Sequence, residues 1–362
     1  MKQALGRLGK YSAVRVVFLL LAVTVAVYFT VVVANMGGAL DVLVENTIRH
    51  EVNMEINLNP QYQRLPLEER EALVEEAVQI ALRRIGMDKP FFPTRSLEFL
   101  RSAMSLELGK SNLITSDSHS FAVRDILMER LPHSLILFGT AQLILFFLTL
   151  FLALFLSRRY GSFLDKLFIA LAPTSAAPGW FYGLFLILIF AAVLGVLPWG
   201  GMAQAGIQVG FTREFVGSLA SHLILPVTAI VISAIFAGVY NSRTFFLIYS
   251  MEDHVELAKA KGLSPRAVER RYILRPTLPP IVTSFLLILI TMWMGQIILE
   301  TVFSWPGIGQ VYYQAIQFNE TAIIVGVIVI YGYLLSMTLF ALDFVYAILD
   351  PRVRVGVAGG GM

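Results

Sequence analysis

The sequence contains no cysteine in 362 residues and few charges, with Asp, Glu, Lys and Arg making up only 15% of the chain. The lack of cysteine excludes disulfides, thiolate metal sites and a cysteine nucleophile. The lack of charge, together with a hydrophobic content of 57% and a mean hydropathy of +0.71, leaves too little polar surface to cover a soluble globule. The chain is therefore predicted to be a membrane protein.

Motifs of common catalytic sites are also missing. The sequence has no G-x-x-x-x-G-K-[ST] phosphate loop, no H-E-x-x-H and no G-x-S-x-G, and its five histidines are scattered without the spacing of metal ligands. We therefore predict no catalytic residue, no cofactor and no metal site, and a chain that is not itself an enzyme.

Six segments are long and apolar enough to cross a membrane, because a helix needs about 20 residues to span roughly 30 Å of hydrocarbon. The first is not a cleaved signal peptide, since its apolar run exceeds the core of about 7 to 15 residues that such peptides carry. The predicted spans are residues 16–34, 135–156, 167–196, 223–240, 281–298 and 323–347.

Basic residues are distributed unequally between the two sides of these spans. Sixteen Lys and Arg lie on the side that holds both termini, whereas the two short loops opposite, 197–222 and 299–322, contribute only Arg213. Because positive charge near spans marks the cytoplasmic side, both termini are predicted to be cytoplasmic in the cell (inner) membrane. These loops account for the net charge of +3, so no nucleic-acid partner is predicted.

The order of spans and loops predicts four regions. Residues 1–36 form an N-terminal tail with the first span, 37–132 an extracytoplasmic insertion, and 133–349 the membrane core. The core contains a cytoplasmic loop at 241–280, and residues 350–362 form a cytoplasmic tail. The fold class is therefore all-α, a polytopic membrane protein with an insertion between its first two spans.

The clearest element of the insertion is PLEEREALVEEAVQIALRRIG, which begins at Pro66 and ends at Gly86. Proline is suited to a first helical position and glycine to a helix end. Apolar residues including Val74 and Val78 recur at helical spacing, which predicts an amphipathic helix packed against another surface. A small cap resting on the bundle and an independent ligand-binding domain both fit this pattern, and we favour the cap.

The stretch EDHVELAKAKGLSPRAVERRYILRPTLPP, residues 252–280, carries six basic residues within an apolar chain. Asp253 and Glu256 have the spacing of a capping box, Gly262 can close the helix that they start, and Ser264 followed by proline can begin a second helix. A simple topological anchor explains the charge but not the capped helix. A DNA-binding helix-turn-helix would lack room for its supporting core, so a docking element for a cytoplasmic partner fits better.

This loop resembles that of the permease subunits of binding-protein-dependent ABC importers, whose signature is Glu-Ala-Ala-x-x-x-Gly. Glu256, Ala258 and Gly262 match the signature, and Leu257 replaces its second residue. The surrounding pattern is similar to the oligopeptide and dipeptide permease branch. Further segments similar to the family are MDKPFF at 87–92, ELGKS at 107–111, ERLPHSL at 129–135, PGWFYG at 178–183, HLILP at 222–226, ETVFSWPGIG at 300–309 and DFVYAILDPRVR at 343–354.

The resemblance implies a type I ABC importer transmembrane fold and a set of partners. These are a second related permease subunit, two ATP-binding ABC subunits on the cytoplasmic side, an extracytoplasmic solute-binding protein and membrane lipid. The loop helix would be the coupling helix, seated in a cleft of an ATP-binding subunit. The coupling residues implied in this way are Asp253, Val255, Glu256, Leu257, Ala258, Lys259, Lys261 and Gly262.

The resemblance also implies inward transport of oligopeptides or dipeptides. Where many peptide permeases read Pro-Gly-Asp-Pro after the first span, this chain reads NMGGALD at 35–41. An oligosaccharide or a metal chelate carried by the same machinery therefore stays open as an alternative. A secondary transporter is less favoured, because it would need internally repeated spans or intramembrane charges, and the sequence indicates neither.

Four polar residues within or near the predicted spans are candidates for a solute pathway or gate: Thr174, Ser175, Gln296 and Glu300. Burying such groups in a membrane costs free energy, so a polar residue in a span indicates a structural or functional role. Helix–helix contact is an equally good interpretation of the first three. For Glu300 we favour a structural partner over a gate.

Overall fold

The computed structural model describes residues 2–35, 38–62, 65–207, 209–291 and 296–349. The predicted tail at 350–362 lies outside these residues. Within them the chain is helical and forms no strand. The helices are α1 (Lys2–Asn35), α2 (Ala39–Leu58), α3 (Leu67–Arg84), α4 (Ser96–Met104), α5 (Val123–Arg158), α6 (Phe163–Leu171), α7 (Gly179–Leu186), α8 (Arg213–Ser250), α9 (Asp253–Ala260), α10 (Pro265–Val268), α11 (Arg275–Thr291), α12 (Ile297–Val302), α13 (Ile308–Gln317) and α14 (Thr321–Leu349).

Five stretches of the described chain are long and apolar enough to cross a membrane, and a bent pair of helices supplies a sixth if it forms one span. Each predicted span therefore has a counterpart. The five stretches are Val14–Val33, Val123–Arg158, Arg213–Ser250, Pro265–Leu289 and Thr321–Leu342, and the bent pair is Phe163–Ala176 with Gly179–Val193.

The third predicted span, 167–196, corresponds to the bent pair, and the chain bends by 100° within it. Ala177, at the bend, is extended with φ −79° and ψ 132°. The residue before a proline is disfavoured in the helical region, and Pro178 follows it. α7 then begins directly after this proline.

The predicted fifth span, 281–298, is interrupted. α11 ends at Thr291, residues 292–295 lie outside the described chain, and Gln296 is extended with φ −121° and ψ 98°. α12 begins at Ile297 as a separate helix of six residues. Glu300 therefore lies on a short helix beyond α11 rather than at the end of a long one.

Contacts divide the chain into two compact units, of which the first comprises residues 1–129 and 312–340 and the second 130–311 with the residues from 341 onward. In the second unit one buried cluster includes Phe303 and Trp305. Another includes Val239 and Phe246 and is packed by partly buried residues that include Ile281 of α11. The first cluster includes Leu299 of α12, and the second packs α5, α8 and α11 together.

In the first unit, part of the insertion packs on the spans. Residues of α1, α4 and α14 share one buried cluster, formed by Val23, Val27, Val31, Ala103 and Val329. The hydroxyl of Tyr333 on α14 donates to the carbonyl oxygen of Met104 at 2.8 Å. This packing of α4 favours a cap on the spans.

Another part of the insertion is a helical hairpin of α2 and α3. Val78 of α3 is fully buried in a cluster with Ile56 of α2. Pro66 is the N-cap of α3 rather than its first helical residue, a shift of one position from the prediction. Between the two helices the Arg49 guanidinium donates to the Glu75 carboxylate at 2.7 Å, which lowers the pKa of that exposed carboxyl.

Candidate functional site

The predicted docking helix is α9, which spans Asp253–Ala260 with Glu252 at its N-cap. The side chain of Glu252 makes no capping hydrogen bond. The predicted capping box is wrong, because Asp253 is already the first helical residue and does not stand at the N-cap. Asp253 and Glu256 still lie in the first turn, where the helix dipole favours negative charge.

Gly262 ends α9 in a Schellman motif, as the sequence predicts. Its N–H donates to the carbonyl oxygen of Lys259 at 2.9 Å, and the N–H of Leu263 donates to that of Ala258 at 3.3 Å. The φ angle of Gly262 is +76°, in the left-handed region that favours glycine. An added Cβ would meet nothing within 4 Å, so glycine is required here by backbone conformation and not by space.

α9 has a buried face and an exposed face. Val255 and Ala258 are 0% and 2% exposed, whereas Leu257 is 57% exposed. The two buried side chains belong to a cluster that we call the loop core, formed by Val255, Ala258, Leu263, Val268, Tyr272 and Ile273. At helical spacing Asp253 and Lys261 share the exposed face with Leu257, so that face is charged around one apolar side chain.

The loop core ties α9 to the helix that leads into the fifth span. Ser264 is the N-cap of α10 and Pro265 its first residue, as predicted. The helix continues through a wider turn at Glu269–Leu274 into α11. His254 Nε2 on α9 lies 3.0 Å from the carbonyl oxygen of Tyr272, so a polar contact supports the apolar ones.

One ion pair fixes this segment to α5 and a second joins α8 to α6, and sequence reasoning missed both. At the end of α5, Arg158 Nε donates to Glu269 Oε1 at 2.9 Å. Arg243 Nη2 on α8 donates to Asp165 Oδ2 on α6 at 2.6 Å, with both residues buried. Asp165 Oδ2 also accepts the N–H of Gly161 at 2.8 Å. Arg243 stands within the long apolar helix α8, which is the signal that could have marked it as more than a loop charge.

Glu300 is buried in the second unit, and its carboxylate is engaged by its own chain. The hydroxyl of Ser134 donates to Oε1 at 2.8 Å, and the N–H of Gln310 donates to Oε2 at 3.1 Å. An added Cβ on Gly307 would lie 2.4 Å from Oε2, so glycine is required here by space. The carboxylate thus binds the first turn of α13, where N–H groups lack helical partners, and this geometry supports a structural role.

Trp305 joins the same cluster from the loop before α13. Its indole N–H donates to the carbonyl oxygen of His133 at 2.9 Å, and His133 Nδ1 lies 2.9 Å from the carbonyl oxygen of Pro306. The motifs ERLPHSL and ETVFSWPGIG, far apart in the chain, therefore meet in space. We call this group the Glu300 cluster: His133, Ser134, Glu300, Trp305, Pro306, Gly307 and Gln310.

Of the other three candidate pathway residues, Thr174 and Ser175 lie elsewhere, whereas the carbonyl oxygen of Gln296 accepts the N–H of Glu300 at 2.9 Å. The Thr174 hydroxyl donates to the carbonyl oxygen of Leu171 at 2.7 Å, and Ser175 Oγ accepts the N–H of Ala237 at 3.3 Å. Both therefore support the bend after α6. Gln296 is exposed at the N-cap of α12.

Three relatives share most of their length with this chain. It is 31% identical over 293 residues to the di/tripeptide transport system permease protein of Pseudomonas aeruginosa, covering 76% of this chain and 84% of that protein. It is 28% identical over 262 residues to the dipeptide transport system permease protein of Bacillus subtilis, covering 72% and 79%. It is 27% identical over 238 residues to the oligopeptide transport system permease protein of Bacillus subtilis, covering 64% and 72%.

Residues 140–355 match the family described as binding-protein-dependent transport system inner membrane component. This range includes α6 to α14 and therefore holds α9, the buried Asp165–Arg243 pair and the short helix with Glu300. The apolar helices of the structure are those expected of an inner membrane component. The family is also the one that the sequence resembles. The chain belongs to the inner membrane components of binding-protein-dependent transport systems.

Proposed function

We propose that this chain is the permease subunit of an ABC importer that carries oligopeptides or dipeptides inward. Three relatives named as peptide, dipeptide or oligopeptide permeases match most of its length, which supports this cargo. ATP would be bound and hydrolysed by two partner ABC subunits. A second related permease and an extracytoplasmic solute-binding protein complete the complex.

The observation that carries this proposal is the two-faced helix α9. Its buried face fixes it through the loop core to the helix that enters the membrane, and its exposed face is left to contact another protein. We assign the contact with an ATP-binding subunit to Asp253, Glu256, Leu257 and Lys261, with Lys259 at the edge. Val255 and Ala258 support the helix from within, and Gly262 sets its end.

The cargo is tested on the cognate soluble binding protein and on the reconstituted complex. We expect the binding protein to take up peptides, and ATP-dependent uptake of the same peptides by vesicles that contain all subunits. Oligosaccharides and a metal chelate serve as competing ligands. Affinity for either of these with none for peptides would show that the cargo is wrong, and uptake without ATP would favour a secondary transporter.

The orientation of the chain is a separate part of the proposal, with both termini and α9 in the cytoplasm. Because the chain has no cysteine, each introduced thiol is the only one present. A cysteine replacing Arg101 on α4 should react with an impermeant thiol reagent added outside intact cells, and one replacing Ser264 should not. Reaction at position 264 from outside would reverse the orientation.

A further inference from the structure

The second unit contains a cavity of about 460 Å³ between α5, α8 and α11. Its lining follows one face of each helix, as in Gln142, Leu145, Phe146 and Thr149 of α5, which are spaced three, one and three residues apart. The volume lies within the roughly 300–1,000 Å³ typical of small-ligand sites. None of the four pathway candidates chosen from the sequence lines it.

Three polar side chains of this cavity make no hydrogen bond within the part of the chain that the structure describes, whereas the Ser284 hydroxyl donates to the carbonyl oxygen of Pro280 at 3.0 Å. Thr149 Oγ1 is buried without a hydrogen-bond partner. The amides of Gln142 and Asn241 line the same space and make no hydrogen bond to a described residue. Gln142 and Thr149 lie within the predicted second span, where an unsatisfied amide or hydroxyl is costly unless it faces water or a ligand, and Asn241 is exposed one residue beyond the predicted fourth span. These groups are therefore available to a polar molecule in the cavity.

Aromatic side chains form the rest of the wall. Phe146 of α5 and Phe285 of α11 lie with their ring centroids 4.2 Å apart, and Phe245 of α8 lines the cavity too. The site thus offers amide groups that match the hydrogen-bonding groups of a peptide main chain, and rings that match apolar side chains. The lining residues include no charged side chain, so contacts there would be made through hydrogen bonds and apolar surface.

The helices around the cavity are also those that carry the coupling segment. α8 ends at Ser250, and α9 begins at Asp253. α11 continues from the loop core, which holds the buried face of α9. A displacement of α9 would therefore be transmitted to two of the three cavity walls. α8 is joined to α9 by two residues of chain, and α11 is joined to it through the loop core.

We propose that this cavity is a solute-contact site of the transport pathway, which takes a peptide through Gln142, Asn241 and the aromatic rings. This inference rests on the proposed peptide cargo. Gly238 sets the width of the cavity on α8, since an added Cβ there would lie 3.3 Å from Thr149 Oγ1.

Photo-crosslinking in the assembled importer tests the proposal. Ser242→Cys places a single thiol on the cavity wall, and this thiol is labelled with a benzophenone reagent. During turnover with a radioactive peptide, we expect a peptide adduct on this permease. An adduct with the second permease or with lipid, and none with peptide, would mean that the cavity is an interface or a lipid groove and would overturn the site.

Substitutions supply an independent readout. Gly238→Leu fills the cavity, whereas Gly217→Leu on the same helix enters open space and serves as the matched control. We expect Gly238→Leu to lower peptide uptake severely at normal assembly, and Gln142→Leu to lower it roughly tenfold through one or two lost hydrogen bonds. Wild-type uptake by both would overturn the site.

These results separate the two proposals. A binding protein that takes no peptide contradicts the proposed cargo. Wild-type peptide uptake without a peptide adduct at position 242 contradicts the cavity assignment alone.

Discussion

Two glycine-containing motifs of this permease require glycine for opposite reasons. At Gly262 the left-handed backbone excludes other residues although the space around it is empty. Gly307 is not in the left-handed region, but a side chain there would run into Glu300 and Ser134. One motif therefore shapes an exposed segment, and the other closes a buried cluster.

The charges in the two motifs differ in the same way. Asp253, Glu256 and Lys261 beside Gly262 are exposed, whereas Glu300 beside Gly307 is fully buried and bonded within the chain. A motif with free surface charge is available to a partner protein. A motif whose charge is already satisfied stabilises the chain itself, so damage at the two sites should be separable into lost coupling and lost stability.

The largest loss of stability is expected at the Glu300 cluster. Glu300→Ala leaves the Ser134 hydroxyl and the N–H of Gln310 without their acceptor, and each buried unsatisfied group costs about 1–3 kcal/mol. We expect the purified variant to lose its folded state at a lower temperature in detergent and to accumulate poorly in cells. Thermal unfolding followed by size-exclusion chromatography would measure this.

Two further variants sharpen the test. Gly307→Ala should destabilise by about 1–3 kcal/mol, as overpacking does, whereas Gly139→Ala on α5 enters open space and should not. Glu300→Gln keeps an acceptor oxygen, so its stability should lie between that of Glu300→Ala and that of the wild type. Normal stability of Glu300→Ala with abolished uptake would instead make Glu300 a gate.

The sequence predicted those features that depend on neighbours in the chain. The six apolar segments, the glycine end of α9 and the Ser264–Pro265 start of α10 arise from residues a few positions apart. Their signals are hydrophobic run length, a left-handed glycine and the fixed φ of proline. Even locally the N-cap was misplaced by one residue: Asp253 has the preferred N-cap side chain, but the helix begins one residue earlier, after Glu252, whose side chain makes no capping hydrogen bond.

Features that join distant residues could not be predicted in this way. The residues around Arg243 do not indicate that its partner is Asp165. Those around Glu300 do not indicate that it binds Ser134. The cavity residues are likewise ordinary members of three apolar helices until packing turns one face of each toward the same space. Gln142 carried a signal, since an amide in a span needs a partner, but the space that it faces depends on the tertiary structure.

A smaller stability loss with a complete functional loss is expected at the end of α9. Gly262→Val forces a β-branched residue into the left-handed region, which costs about 1–2 kcal/mol if the backbone holds. We expect the Schellman end to rearrange and α9 to lose its orientation, so that uptake is abolished while the permease stays inserted. Subunit retention, ATP turnover and uptake would be measured together on reconstituted complexes.

Gly262→Asn is the matched control, because asparagine tolerates the left-handed region. It should retain most of the uptake. If Gly262→Val keeps wild-type values for subunit retention, ATP turnover and uptake, residues 252–280 are only a topological anchor and the coupling assignment is wrong.

The smallest change in stability is expected at Leu257, the exposed apolar residue of α9. Leu257→Ser should alter the stability of the isolated permease by no more than about 0.5 kcal/mol, as is usual for surface positions. If the side chain enters a pocket on an ATP-binding subunit, its loss should weaken that association by roughly 1–2 kcal/mol. Val255→Ser, two residues earlier, should instead lower the stability of the permease, because its side chain lies in the loop core. It removes no side chain from the exposed face that is proposed to contact the ATP-binding subunit. Titration of purified ATP-binding subunit onto permease complexes in nanodiscs would compare the two, and equal affinities for Leu257→Ser and the wild type would remove this face of α9 from the interface.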